Sequence, residues 1–365
     1  MNILKKLIIN FFLILLSLIF IVTIVEYFLG LFVTKQDYSN QRYMLYKSNN
    51  QNSVFKNIEG GFIYQPNIEI ENTTFFYINN QWIKEFDYIM PTNNFGLVQT
   101  KDLYPEKKSI LLLGDSYTEG VGAYPWFDKL NKNYASSKYQ FINGGILGTG
   151  FESWFNLYNH LLIENIEISK IVIIFTSDDY RRGAWNMHKN TLKCIENYKI
   201  CKGDENFYGK PSLEDEVNFL EKLRNFRDKK GNQLHKNILI NYIKKTYPEL
   251  RSLNKTIRRR LEIDKSPTIA KSNEVIKYFI NKYKDNVVFI HIPTKFENLF
   301  DNKDLFGKKT VEFIEKNKGN IVDLFDKCNL KKEDFHIYDG HPNSKGYDKI
   351  SFCISSIIEK KLKIY

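Results

Sequence analysis

The first long apolar stretch, residues 7–25, runs for 19 positions with only Asn10, Ser17 and Thr23 as polar interruptions. A helix rising about 1.5 Å per residue would carry it roughly 28 Å, close to one hydrocarbon core. A cleaved signal peptide has a shorter apolar region that ends in small residues. The first alanine of this chain is Ala123, and residues 26–33 offer no small-x-small site. The pattern therefore predicts a retained single-pass transmembrane anchor over 7–33, behind a cytoplasmic tail at 1–6. Lys5 and Lys6 face Lys35, Arg42 and Lys47 across the span. Charge barely orients it, and the shortness of the tail places the C-terminal part outside the cytoplasm.

Residues 34–107 alternate briefly, as in Thr74-Phe75-Phe76-Tyr77-Ile78, and are punctuated by Pro66, Pro91 and Pro105. They read as a partly ordered neck with short strands and no evident chemistry. From residue 108 the pattern changes to buried strands alternating with helices. Residues 110–113, 139–143, 170–175 and 286–292 read as strands, the first and third without a polar break. Residues 150–163 read as a helix. Residues 344–361 form a closing helix with Tyr347, Ile350, Cys353 and Ile357 on one face. Such alternation predicts a three-layer α/β/α domain around a parallel sheet over 108–365. A helical insertion at about 183–285 interrupts it. There Leu213, Val217, Leu220 and Leu223 follow Ser212, a candidate N-cap, and Ile238, Tyr242 and Ile243 suggest a second helix.

Composition adds size and charge to this outline. The chain has 365 residues, 43% hydrophobic and 15% aromatic, which suits a large core. Its net charge of +11 is concentrated in residues 181–285, with 25 Lys/Arg against 13 Asp/Glu and the run Arg258-Arg259-Arg260. No zinc-finger, helix-turn-helix or RNA-binding signature accompanies that charge, so no nucleic-acid partner is expected. The basic stretch reads as a solvated helical face, or as a lid or docking surface for acidic polysaccharide or anionic lipid headgroups. Cys194, Cys201, Cys328 and Cys353 lack the spacing of a zinc site, and neither a metal nor a cofactor is expected. Beside a membrane span they favour disulfides, 194–201 and 328–353 among three connectivities; four buried thiols in a cytosolic domain is the competing reading.

The candidate chemistry begins at Gly114-Asp115-Ser116, where the chain leaves the strand at 110–113. Open α/β sheets bind ligands at the carboxyl ends of their strands. Ser116 is either a helix N-cap or a nucleophile there. Asn143-Gly144-Gly145-Ile146-Leu147-Gly148-Thr149-Gly150 follows the second strand, and its glycines allow close backbone approach. Asp339-Gly340-His341 precedes the closing helix. Histidine is the usual base for a serine hydroxyl, and a carboxylate orients it.

These blocks, in this order, resemble those of the SGNH (GDSL) hydrolase superfamily over residues 108–365 outside the insertion. The resemblance implies a three-layer α/β fold, ester chemistry and a serine nucleophile at Ser116, with His341 as base and Asp339 orienting it. It also implies an oxyanion hole from the N–H groups of Ser116 and Gly145. Two positions depart from the family pattern. The usual Asp-x-x-His is here Asp339-x-His341, with Tyr338 where the acid is expected. The usual Gly-x-Asn-Asp is here Thr176-Ser177-Asp178-Asp179, and an ionised Asp178 cannot donate to an oxyanion. Either Asp178 is protonated, or it turns away toward Arg181 or Arg182.

The sequence thus supports a membrane-anchored, extracytoplasmic serine esterase or O-acyltransferase. Its substrate would be an acylated glycan of the cell envelope, acetylated above all, or a small ester; transfer would bring in a partner acyltransferase. The alternative is an inactive module of the same fold that binds glycan or a partner protein.

Overall fold

The computed structural model describes residues 2–32, 41–50, 54–123, 126–134, 138–233, 266–325 and 327–364. The chain forms two compact units: residues 1–37 with 227–264, and residues 38–226 with 265–365. In the smaller unit α1 (Asn2–Phe32) is a continuous helix. Its side chains are described without a break over residues 9–25, and Ile9, Phe11, Phe12, Leu16 and Phe20 are all more than half exposed. Among the described residues no helix is long and apolar enough to cross a membrane.

Among its described residues the larger unit holds two main sheets and one separate two-stranded hairpin. The first begins with β1 (Arg42–Ser48), β4 (Glu69–Ile78) and β5 (Gln81–Pro91), with the hairpin of β2 (Phe55–Ile58) and β3 (Gly61–Tyr64) between β1 and β4. Asn79 and Asn80 join β4 to β5, both at positive φ, as a two-residue antiparallel hairpin demands. The second sheet contains β6 (Ser109–Gly114), β7 (Gln140–Gly145), β8 (Ile168–Phe175), β10 (Val287–His291) and β11 (Ile321–Asp323). Its order is β11-β10-β8-β6-β7, parallel throughout. The chain steps outward from β6 to β7 and then returns to the other side of β6 as β8. That reversal opens a crevice at the carboxyl ends of β6 and β8, where ligands of such sheets bind.

Helices cover both faces of the parallel sheet. α3 (Trp126–Asn133) and α10 (Ser344–Leu362) bury Phe127, Leu130, Ile350, Ile354 and Ile358 against Ile110, Leu112, Val172 and Ile290. On the opposite face α4 (Phe151–Ile163) packs with α7 (Pro267–Tyr283), and Phe151 meets Phe175. The fold is thus mixed α/β with a parallel sheet. The elements expected at 110–113, 139–143, 150–163, 170–175, 286–292 and 344–361 lie within two residues of their observed bounds. β11, three residues long, is too short for a periodicity signal.

Two expectations of organisation change. Where a partly ordered neck is expected, β1, β4 and β5 form an antiparallel sheet, and β9 (Phe207–Gly209) joins it by pairing parallel with β1. Tyr43, Leu45, Phe75, Tyr208, Leu220 and Leu223 form its core with Cys194 and Cys201. The stretch 183–285 is also not one appendage. α5 (Lys189–Glu196) and the start of α6 (Glu216–Gln233) cover the antiparallel sheet, while α7 belongs to the covering of the parallel one. α6 starts after Leu213, which is exposed, because Leu220 and Leu223 are the positions its packing buries. The helix expected near residues 238–243 and the arginines at 258–260 lie outside the described residues.

Cys194–Cys201 and Cys328–Cys353 are disulfide-bonded, closing loops of 7 and 25 residues of sequence separation. The second ties the segment after β11 to α10. Closing loops of those lengths removes unfolded-state entropy worth roughly 2 and 3.5 kcal/mol respectively. Replacing Cys328 and Cys353 by Ser should lower the urea midpoint more than replacing Cys194 and Cys201. Mass spectrometry of the alkylated, unreduced protein should find no free thiol; equal midpoints for all variants would contradict a stabilising role.

Candidate active site

Gly114 ends β6 because nothing larger fits: a Cβ there would lie 1.9 Å from Thr118 Oγ1 and 2.6 Å from the Ile174 carbonyl. Asp115 then caps the short helix α2 (Ser116–Glu119), its Oδ1 accepting from Tyr117 N at 2.9 Å. This turn puts Ser116 at the end of the strand with no acceptor for its backbone N–H among the described residues. Ser116 Oγ lies 2.7 Å from His341 Nε2.

The other ring nitrogen, His341 Nδ1, meets Asp339 Oδ1, and the same oxygen accepts the backbone N–H of His341 at 3.0 Å. That double acceptance is why the short Asp-x-His spacing works. The segment turns back on itself, so one oxygen caps the turn and orients the ring. Tyr338, at the position where the family pattern expects the acid, instead stands beside Phe76. An ionised carboxylate can only accept, so Nδ1 carries a proton, and in the neutral form of the ring Nε2 is the acceptor that faces Ser116.

Asp339 is 2% exposed, and its outer oxygen Oδ2 accepts from Arg42 Nη1 at 3.1 Å. Burial alone would raise this carboxyl. The His341 ring, the Arg42 guanidinium and the His341 N–H together outweigh burial and hold it well below the usual carboxylate range. The loop is clamped as well. Lys295 Nζ donates to the carbonyls of His336 and Ile337 at 2.6 Å and of Asp339 at 3.3 Å. Glu85 accepts from Ile337 N at 2.6 Å, and Tyr117 Oη donates to Gly340 O at 2.7 Å. Arg42, Glu85, Tyr117 and Lys295 all escaped sequence reasoning. A lone Arg at a strand start and a lone Lys after a strand carry no local signal of such partners.

The oxyanion assignment changes. Gly145 N–H donates to Asn143 Oδ1 at 3.0 Å inside β7, and a Cβ on Gly145 would lie 2.2 Å from Glu119 N. It is a packing glycine, not a free donor. Three residues on, Gly148 takes φ +69° and has no acceptor for its N–H among the described residues. Its loop is tied to the nucleophile turn by Ile146 N to Gly114 O and Leu147 N to Glu119 Oε2. The glycine-rich run held this candidate too. The N–H groups available for an oxyanion are those of Ser116 and Gly148.

Asp178 points elsewhere. Its Oδ1 accepts from Arg181 Nε at 3.0 Å and Nη2 at 2.8 Å, and its side chain is 47% exposed. The neighbouring Asp179 is buried and caps Thr176. Arg182 joins Asp179 at 2.6 Å to Asp115 at 3.0 Å and also reaches Thr149 O, fixing the turn after β8 to the nucleophile turn. Burial and the nearby Asp115 push the Asp179 carboxyl up; Arg182 opposes them.

A second row of the same residue types lies beside this one. Ser177 Oγ is 3.1 Å from His291 Nε2, and His291 Nδ1 is 3.0 Å from Asp323, which Lys303 also holds. Ser177 is 3% exposed and His291 fully buried, with Gly307 against both. The Ser177 hydroxyl donates to Glu297 at 2.7 Å, so its proton is already committed to a carboxylate. This row is a buried strut, closed to substrate. Among the described residues no cluster of His, Cys, Asp and Glu could hold a metal ion.

Glu119 is fully buried between Tyr64 Oη, at 2.8 Å, and Leu147 N, at 2.6 Å. Burial pushes its carboxyl up to about 8, although both donors pull the other way. The folded chain therefore holds a proton that the unfolded chain releases above the ordinary carboxylate range. Stability should fall as pH rises from about 5 to 8, by at most about 1.4 kcal/mol per unit from this group. Glu119→Gln, a mimic of the protonated acid, should flatten that slope in urea denaturation at pH 5, 7 and 9; parallel slopes would refute it.

No family model matches the chain, and no curated protein matches it in sequence. Solved structures do match in fold. A psychrotrophic esterase from Pseudoalteromonas sp. is 14% identical, with 70% of this chain and 98% of that chain covered and a TM-score of 0.36. A lipolytic protein of the G-D-S-L family from Veillonella parvula is 13% identical, with 69% and 99% covered and a TM-score of 0.33. An acetyl xylan esterase from Geobacillus stearothermophilus is 10% identical, with 71% and 95% covered and a TM-score of 0.32. The solved structures to which this chain is similar thus include esterases of the GDSL (SGNH) hydrolase type.

Proposed function

We propose that the chain is a serine esterase of the SGNH type acting on O-acyl esters. The observation that carries this reading is the row Ser116–His341–Asp339, with 2.7 Å between the serine oxygen and the bare ring nitrogen. His341 Nε2 takes the Ser116 proton as Oγ attacks the ester carbonyl. The resulting oxyanion is held by the N–H groups of Ser116 and Gly148. Collapse breaks the bond to the alcohol, which leaves with the proton from His341, and the acyl group stays on Ser116. Water or a sugar hydroxyl, deprotonated by the same ring, then frees the serine.

The choice between hydrolysis and transfer lies in which acceptor reaches the acyl-enzyme. Acetylated glycans of the cell envelope are the substrate we favour, with attachment to the membrane through the apolar run at residues 7–25 and the enzyme outside the cytoplasm. The apolar run at residues 7–25 and the two disulfides support that placement, since disulfides persist in oxidising compartments. A transferase of this kind would take its acyl group from a partner acyltransferase.

A fluorophosphonate probe tests the nucleophile. Wild type and Ser177→Ala should label, while Ser116→Ala should not, and His341→Ala should lose turnover of p-nitrophenyl acetate with its circular dichroism unchanged. Labelling of Ser116→Ala at the wild-type level would sink the esterase reading in favour of a glycan- or protein-binding module.

Asp178 offers an independent check on the oxyanion hole. Removing a working donor typically costs about a hundred- to a thousandfold in rate. Because Asp178 is turned to Arg181, Asp178→Asn should leave kcat within about threefold of wild type, in keeping with an exposed ion pair. A hundredfold loss would place Asp178 in the hole.

A further inference from the structure

The antiparallel sheet reaches the acid of the candidate site through Arg42 Nη1, which donates to Asp339 Oδ2 across 297 residues of sequence. Arg42 opens β1, and its side chain is 33% exposed against 1% for Asp339. The carboxylate has two oxygens with separate duties. Oδ1 serves the His341 ring and backbone, and Oδ2 serves the guanidinium. Without a donor on Oδ2, a buried carboxylate would be left half-satisfied and free to rotate.

We propose that Arg42 is a positioning residue of the esterase site: it holds Oδ2 so that Oδ1 stays on His341, and its charge offsets that of Asp339 during proton transfer. This rests on the esterase reading given above. When Ser116 gives up its proton, the ring becomes an imidazolium beside Asp339. A bare carboxylate would stabilise that imidazolium strongly and keep the ring protonated to higher pH. The guanidinium on the far oxygen weakens the pull, so the ring is free to accept the serine proton at lower pH. Arg42 thus trades some stabilisation of the imidazolium for a carboxylate fixed on the ring.

Other charged and titratable groups also face this pair. Tyr46 on β1, Glu85 and Tyr88 on β5, and Asp115 and Tyr117 at the nucleophile turn are among them, with Lys295 on α8 (Lys295–Phe300) and His336 in the loop. All of them stay in place when Arg42 alone is changed, so a comparison of variants isolates its charge.

The test is kcat/KM for p-nitrophenyl acetate from about pH 5.5 to 9.5 in wild type, Arg42→Met and Arg42→Lys. Arg42→Met should lose about tenfold near pH 7, the worth of one hydrogen bond to a charged group. Its acid limb should move up by about half a unit to one unit, so the deficit shrinks as pH rises. Arg42→Lys keeps the charge without the planar fork, so its limb should stay at the wild-type position with a loss of a few fold. If Arg42→Met does not fold, Arg42→Gln makes the same comparison. A uniform loss at every pH with an unmoved limb reduces Arg42 to a structural contact and overturns the proposal, as does a profile that superimposes on wild type. Absence of Ser116-dependent turnover in wild type would overturn the esterase reading itself, and the proposal with it.

Discussion

A carboxylate held ionised inside the protein is the constraint on which this structure turns. Asp339 is removed from water, and a charge in that position is costly unless every lone pair finds a donor. The donors come from two distant parts of the chain: the ring and N–H of His341 from the loop itself, and Arg42 from the start of β1. The loop in turn needs Lys295 and Glu85 to fix its carbonyls and N–H groups. Remove the charge from Asp339 and none of these partners has a reason to converge. The antiparallel sheet therefore meets the catalytic loop through charge at Arg42 and Glu85 as well as through the ring contacts of Phe76 and Phe86.

The paired Ser–His–Asp rows show how little residue type says without environment. Ser116 and Ser177 each touch a histidine nitrogen, and each histidine touches an aspartate. At Ser116 a backbone N–H stands open beside the hydroxyl. At Ser177 the hydroxyl donates to Glu297 and Gly307 closes the space. The first arrangement can bind a developing anion, and the second only braces the turn that carries Asp178, Asp179 and Arg182.

Much of this was legible in the sequence because it is local. Unbroken apolar runs mark the central strands, and Gly-Asp-Ser and Asp-Gly-His sit at the ends of elements that periodicity reveals. Asp178 turning to Arg181 also follows from proximity, three residues being one helical turn. What escaped was non-local or conformational. Gly145 and Gly148 differ in function because one packs against Glu119 N and the other takes a left-handed conformation in a loop, and composition cannot separate them. Arg42 and Lys295 act on partners far along the chain. The short alternations within residues 42–91 do not reveal the sheet they form, because it is completed by β9, a strand of three residues from beyond residue 200 that pairs with β1.

That pairing is one of several long closures in the molecule. β1 pairs with β4 close by, but Leu45 also lies beside Tyr208 and Arg42 reaches Asp339, contacts that close very long loops. Loop-closure entropy delays such contacts until more local structure has formed. The parallel sheet, whose strands β6, β7 and β8 follow one another closely, needs no such wait. The hydroxyl therefore sits on strands that neighbour one another in sequence, while its base comes from 225 residues away and the charge on the supporting acid's outer oxygen from 297 residues away. The site is complete only when both ends of the larger unit have closed on its middle.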